Sequence, residues 1–304
     1  MYFTSLPDHR EPGFDEQLHF SKFKKHNIIF NATAGKSYCE RHVGCLSIKT
    51  VLNGKEWYGI RNQQLAITPG QFLILNDDQE YSCKVDASEG AKILSVFFRK
   101  EFASAVLRDA SCKEQNLLDN PREYGEKSPE FFQTLMDLDS TLKLKLSDLI
   151  ANLDKYGYQN DTVDEHLVFL LQDLIRLHKV EVYRSNRVIS VAQSTRREIY
   201  KRLCIAKDFM HSAFMDKVDL ALISNTACLS TPQMIRQFKA AFQTTPHQYL
   251  TRIRLSQAAK LLKDSDKTVR EITHLCGFED TSAFCRAFKG EHGMRPMNFR
   301  NMDR

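Results

Sequence analysis

Arg236-Gln-Phe-Lys-Ala-Ala-Phe-Gln-Thr-Thr-Pro-His-Gln-Tyr249 and Arg286-Ala-Phe-Lys-Gly-Glu-His-Gly-Met-Arg-Pro-Met-Asn-Phe299 are one pattern written twice, with Arg, Phe, Lys, Pro and an aromatic residue coinciding at an offset of 50. Upstream the offset is 49, pairing Ile223 with Ile272, Ala227 with Cys276, Cys228 with Gly277 and Leu229 with Phe278, so one residue has been gained in the turn. Each copy spells helix, tight turn, helix. In the second, Thr268-Val-Arg-Glu271 is a capping box that starts a helix, Gly277 supplies a left-handed turn residue, and Asp280 caps the next helix, which runs to about His292. In the first, Asp219 caps the leading helix, Ser230-Thr-Pro-Gln233 reads as another capping box, and the following helix runs to Phe242. Two short capped helices about a tight turn form the unit that lays its second helix in the major groove of DNA; the units span about 219–242 and 268–292.

The spacing divides each second helix into faces. Met234, Phe238 and Phe242 recur at i, i+4 and i+8, as do Phe284 and Phe288, and turn inward. That leaves Thr231, Pro232, Gln233, Ile235, Arg236 and Lys239 in one copy, and Thr281, Ser282, Cys285, Arg286 and Lys289 in the other, for the groove. Arg236 and Arg286 are the candidates for base contact, because a guanidinium bridges guanine O6 and N7. Thr231, Pro232 and Ile235 suit thymine methyl groups, and Lys239 and Lys289, a turn further on, suit phosphates. The bland alternative for any one arginine is a surface salt bridge, and its recurrence in both copies argues against it. Between the copies, His247 to Lys263 keeps helical spacing without Pro or Gly. A helix of that length is ~25 Å long and suits recognition helices set about one DNA turn, ~34 Å, apart.

Charge follows the repeat. From Thr195 onward there are 19 Lys and Arg against 11 Asp and Glu, whereas the preceding part is slightly acidic, so the basic end is where a polyanion would bind. Eight cysteines, at 39, 45, 83, 112, 204, 228, 276 and 285, form no Cys-x-x-Cys pair and have no His partner at zinc-finger spacing. No metal site, disulfide framework or cofactor is expected, and a Cys39/Cys45 redox pair lacks any activating neighbour. The polar start, with Asp8, His9, Arg10 and Glu11, and the lack of a long apolar run predict a cytoplasmic chain without membrane contact.

At 304 residues the chain has room for more than one core. Residues 42–100 read as strands: Leu46, Ile48 and Thr50 alternate with smaller or polar residues, Asn53-Gly54 is a hairpin signal, Pro69-Gly70 breaks the next run, and Phe72–Leu75 and Ile93–Phe98 are short apolar segments. From Pro129 the period turns helical, with one stripe through Phe132, Leu135, Leu138, Leu142, Leu149 and Leu153 and another through Leu167, Leu170, Leu171, Leu174, Ile175 and His178. The second stripe covers enough of its helix to suggest packing on a second subunit.

Gly277-Phe278-Glu-Asp280-Thr-Ser282-Ala-Phe284-Cys-Arg286-Ala-Phe288-Lys289, followed by Gly293-Met-Arg-Pro296-Met-Asn-Phe299-Arg300, resembles the second helix-turn-helix signature of the AraC/XylS family of bacterial transcription regulators. Ser224 to Ser230, Arg236-Gln-Phe238-Lys239, Pro246, Tyr249 and Arg254 extend the likeness to the first unit. Cys228 and Gln243 stand where the family usually has glycine, and Pro232 is unusual at a groove-contact position. The two units are therefore expected to contribute unequally.

The resemblance implies an α+β multidomain protein: a cupin-like β-barrel effector domain (1–125), a helical dimerisation segment (126–182), a linker (183–196) and an all-α DNA-binding domain with two helix-turn-helix units (197–304). It implies a regulator, more often an activator, with promoter DNA and RNA polymerase as partners, a small effector and a homodimer. Trp57, Tyr58, Phe72 and Tyr81 are candidates for an aromatic pocket, although aromatics in a small barrel are commonly plain core, and the effector itself is not legible. Two other classes compete. A cupin-type enzyme with a DNA-targeting module would need a convergent set, for which His42, Glu40 and Glu80 are available; a non-specific architectural binder would need more uniformly basic faces.

Overall fold

The computed structural model describes residues 1–302 apart from 8–12, 36, 61–62, 86–89 and 112–129. Asp8 to Glu11, Cys112, the 125/126 boundary and the start of the helical period at Pro129 lie outside the described residues. The chain divides into two compact units, Met1–Val182 and Tyr183–Arg304. Among the described residues no helix is long and apolar enough to cross a membrane.

The first unit is built on two sheets. One has six strands in the order β1 (Tyr2–Phe3), β2 (Ile28–Ala34), β9 (Ala91–Phe97), β4 (Ser47–Gly54), β7 (Gln71–Leu75) and β10 (Met136–Asp137). The other has the order β3 (Ser37–Gly44), β8 (Gln79–Val85), β5 (Glu56–Ile60) and β6 (Gln63–Ile67). They form two facing ladders of the cupin-like type rather than a closed ring. Asn53-Gly54 does not close a hairpin: β4 pairs with β7 and β9, whereas β5 pairs with β6 and β8, so the turn carries the chain from one sheet to the other. Gly54 has φ +78°, and a Cβ there would lie 2.1 Å from the Gly90 carbonyl oxygen, so only glycine makes this crossing.

Residues 47–51 of β4 are buried on both faces. Ile48 joins a core with Phe72, Ile74, Leu94 and Val96 that two helices cover, α3 (Ser140–Tyr156) and α4 (Asn160–Asn186), through Leu142, Leu146, Leu149 and Leu153 and through Val163, Leu167, Leu170, Leu171 and Leu174. Val51, on the opposite face, meets Tyr58, Ile67, Leu75 and Tyr81 between the sheets. Two shorter helices, α1 (Glu16–Lys25) and α2 (Lys100–Ser111), also belong to the described part of the unit.

The first expected helical stripe begins too early. Phe131 is tied through its backbone N–H and C=O to the Asn76 side chain, Met136 pairs with Phe72, and Leu138 donates to the Gly70 carbonyl, so 131–138 is extended chain. The helix starts at Ser140, capped by Asp139, whose carboxylate accepts from Leu142 N–H. Its apolar residues are buried either way, which is why periodicity did not separate the two segments. The linker is shorter than its sequence outline: with no Pro or Gly to stop it, α4 continues to Asn186, leaving 187–192 outside regular structure.

The second unit is all helix: α5 (Gln193–Ser212), α6 (Leu220–Thr226), α7 (Thr231–Phe242), α8 (Pro246–Asp264), α9 (Val269–Leu275), α10 (Thr281–His292) and α11 (Pro296–Asn301). Leu255, Ala258 and Leu262 of α8 pack with Ile272, Cys276, Phe284 and Phe288 of the second helix-turn-helix. At 19 residues, α8 is ~28 Å long. Its start is fixed by a capping box between Thr245 and Gln248.

Candidate nucleic-acid interface

Each of the two helix-turn-helix units is set by its caps. Asp219 accepts from Leu222 N–H to start α6. Thr268 and Glu271 form the reciprocal box that starts α9, and these bonds hold the Glu271 carboxyl below its ordinary range. Asp280 accepts from both Ser282 and Ala283 N–H, at 3.1 and 2.7 Å, to start α10; its acidity is likewise raised by these two bonds. The box expected at Ser230 does not form. Ser230 sits at the N-cap of α7 but makes no side-chain cap bond; Pro232 at N2 has no N–H to offer, and the Gln233 N–H at N3, which the box would use, is not taken up. Instead Thr231 and Ser224 hydroxyls meet at 2.8 Å and join α7 to α6.

Beyond the caps, the two second helices present the same surface. Along α7, Thr231, Gln233 and Ile235 are half-buried, Pro232, Arg236 and Lys239 are exposed, and Met234 and Phe238 are buried. Along α10, Thr281 and Cys285 are half-buried, Ser282, Arg286 and Lys289 exposed, and Phe284 and Phe288 buried. All eleven residues named from the sequence thus lie on or at the edge of an accessible face. Among the described residues, Arg236, Lys239, Arg286 and Lys289 take part in no salt bridge, although Arg252 and Glu291 approach to 4.0 Å nearby. The four cations are available to an external anion.

Sequence reasoning missed Gln237. It belongs to the inward stripe of α7 with Met234, Phe238 and Ala241, is 2% exposed, and uses both ends of its amide: Nε2 donates to the Ile189 carbonyl at 3.0 Å, and Oε1 accepts from Ile189 N–H at 2.8 Å. The segment before α5 is thereby stitched to the first recognition helix, with Arg184 stacked over Phe242. The signal was there to read, since a glutamine on an apolar stripe needs a partner for each of its polar ends. Arg254 is also structural rather than DNA-facing: it donates to the Phe214 and Asp216 carbonyls.

The set required by the enzyme reading does not assemble. Glu40 and Glu80 are exposed, whereas His42 is buried edge-on against Tyr81 and Phe23. Of the aromatic-pocket candidates, Tyr58 and Tyr81 line a cavity between the sheets; Phe72 belongs to the helix-covered core, and Trp57 alternates to the other side of β5. Cys39 stands opposite Cys83 across β3 and β8, not beside Cys45, whose thiol is pushed up to about 12 by burial.

Known proteins share both parts of this architecture. A family model described as a helix-turn-helix domain matches residues 223–302, and one described as an AraC-like ligand binding domain matches residues 29–168. The "HTH-type transcriptional activator RhaS" of Shigella dysenteriae is 27% identical over 264 residues, 86% of this chain and 87% of that protein. The "Probable transcriptional regulator LumQ" of Photobacterium leiognathi is 31% identical over 97 residues; the match spans 32% of this chain and 39% of that relative's length. A solved AraC-type DNA-binding domain-containing regulator from Chromobacterium violaceum is 25% identical, covering 33% of this chain and 88% of that one, with a TM-score of 0.32.

Proposed function

The chain belongs to the AraC/XylS family of bacterial transcription regulators and is a DNA-binding regulator; from that premise we propose that α7 and α10 enter successive major grooves of a promoter and read its sequence. Arg236 and Arg286 take guanine O6 and N7, and Gln233 suits adenine N6 and N7. Thr231, Pro232, Ile235, Thr281, Ser282 and Cys285 meet thymine methyl groups and other base edges, while Lys239 and Lys289 bind phosphates and fix register. The observation that carries this reading is the duplicated face: two helices whose exposed positions coincide, each with an arginine in no salt bridge and a lysine three residues on.

The protein acts as an activator through contact with RNA polymerase, its N-terminal unit takes a small effector, and a second copy docks on the α3–α4 face, where Leu144 and Phe169 are exposed. Catalysis is not part of the proposal, because Glu40 and Glu80 are exposed whereas His42 is buried. The test is fluorescence anisotropy at ~150 mM salt, comparing duplexes upstream of the protein's own gene and neighbouring promoters with a scrambled duplex. A preference of at least ~10³-fold is expected; no preference on any of them would favour an architectural binder.

A further inference from the structure

The cavity between the two sheets holds two opposite charges that the fold itself leaves incompletely matched. Lys49 on β4 is 2% exposed and Glu56 on β5 is 4% exposed, and both line a cavity that is partly open to solvent. They face it because β4 puts alternate residues Lys49 and Val51 toward the second sheet, and β5 puts Glu56, Tyr58 and Ile60 toward the first. No salt bridge joins the two among the described residues.

The Lys49 ammonium lies 3.3 Å from the centre of the Phe97 ring and 5.5 Å from that of Tyr81. Glu56 is bonded to Tyr58, but its Oε2 is buried without a hydrogen-bond partner. Desolvation pulls Lys49 down to about 8 and pushes Glu56 up to about 7, and the attraction between them offsets only part of it. A buried acceptor without a donor is destabilising, and beside a buried ammonium it leaves polar capacity that a ligand of matching chemistry would complete. Around them the walls are apolar and aromatic: Phe23, Phe30, Phe97 and Ile93.

We propose that this cavity takes a small carboxylate that also carries an amine or hydroxyl on an apolar body, with the carboxylate received by Lys49, the donor by Glu56 and the body by the Phe23, Phe30 and Phe97 rings. The assignment rests on the reading of the N-terminal unit as an effector domain and names the effector's chemistry.

Four probes sharing one phenylalkyl body separate its terms: L-phenylalanine, 3-phenyllactate, 3-phenylpropionate, which lacks the donor, and 2-phenylethylamine, which lacks the carboxylate. Thermal unfolding and calorimetric titration of the full-length protein are run with each at about 1 mM. At least one of the first two raises Tm by roughly 2–4 °C, and the choice between them tells amine from hydroxyl; the last two give less than half of that shift. The Lys49→Met/Glu56→Gln double variant removes both buried charges at similar volume, unfolds no earlier than the parent, and no longer responds. Equal responses to all four probes, no response to any, a response kept by the double variant, or a lowered Tm in that variant without probe would overturn the assignment. The probe comparison on the parent needs no variant to fold. Promoter affinity measured without probe is a separate readout: its loss strikes the regulator reading, whereas intact DNA binding with no probe response strikes the ligand assignment alone.

Discussion

The two helix-turn-helix units carry the same surface on differently secured backbones. In the second, the left-handed turn residue is Gly277 (φ +74°) and the left-handed residue after the recognition helix is Gly293 (φ +76°); in the first, the same conformations are held by Cys228 (φ +51°) and Gln243 (φ +58°). Each non-glycine residue there costs roughly 1–2 kcal/mol, and the unmade Ser230 cap costs about another 1. The first unit is held by contacts from outside its local sequence together with a local one. Arg202 donates to the Cys228 carbonyl, Gln237 grips Ile189, and Gln243 turns its own amide back onto the Lys239 and Ala240 carbonyls. The second unit has glycine at both left-handed positions and a side-chain cap on each helix, whereas the first lacks these at Cys228, Gln243 and Ser230 and is tied to the 187–192 segment through Gln237.

The largest effect is expected at Gly277. A Cβ there would meet the Phe214 carbonyl oxygen at 2.5 Å and Arg254 at 2.9 Å, besides straining φ, so Gly277→Ala should lower unfolding stability by about 3 kcal/mol or more in urea denaturation. Arg286→Ala comes next: anisotropy should show a loss of ~1–3 kcal/mol on the preferred duplex and much less on a scrambled one, with Arg236→Ala losing less because its unit is less firmly set. Equal losses on both duplexes would remove base reading from Arg286. Lys289→Ala should weaken both duplexes alike and lower the salt slope by about 1. Gln237→Leu leaves the Ile189 backbone without its partner and should cost about 1–2 kcal/mol in stability; an unchanged promoter affinity in that variant would break the link between the segment and the first unit. Smallest, and opposite in sign, Cys228→Gly should raise stability by up to about 1 kcal/mol, less whatever the extra freedom of glycine in the unfolded chain takes back.

What the sequence displayed and what it concealed divide along physical lines. The repeat was legible because caps, turn glycines and buried aromatics act locally, and Thr268, Asp280, Phe284 and Phe288 do what their spacing says. Ser230 misled because the spacing of a capping box does not by itself set the Ser230 rotamer, and the hydroxyl leaves the Gln233 N–H unused. Asn53-Gly54 looked like a hairpin because its turn chemistry is the same whether the chain returns to its own sheet or crosses to the other. The cavity stayed hidden because β4 is covered on both sides, so no alternation in Ser47 to Val51 marks Lys49 as inward, and Glu56 lies on a different sheet from the residue it faces. Gln237 was visible as a polar residue on an apolar stripe, but its partner, Ile189, lies 48 positions away.

Sequence-specific reading by both recognition helices is tested most directly by guanine-N7 methylation interference on the preferred promoter duplex, carried out with the parent protein, Arg236→Ala and Arg286→Ala. N7 lies in the major groove, where an arginine fork needs it. Two clusters of interfering guanines about 10 bp apart, one lost in each variant, are predicted. A single cluster, or two clusters that both survive in both variants, would contradict the account.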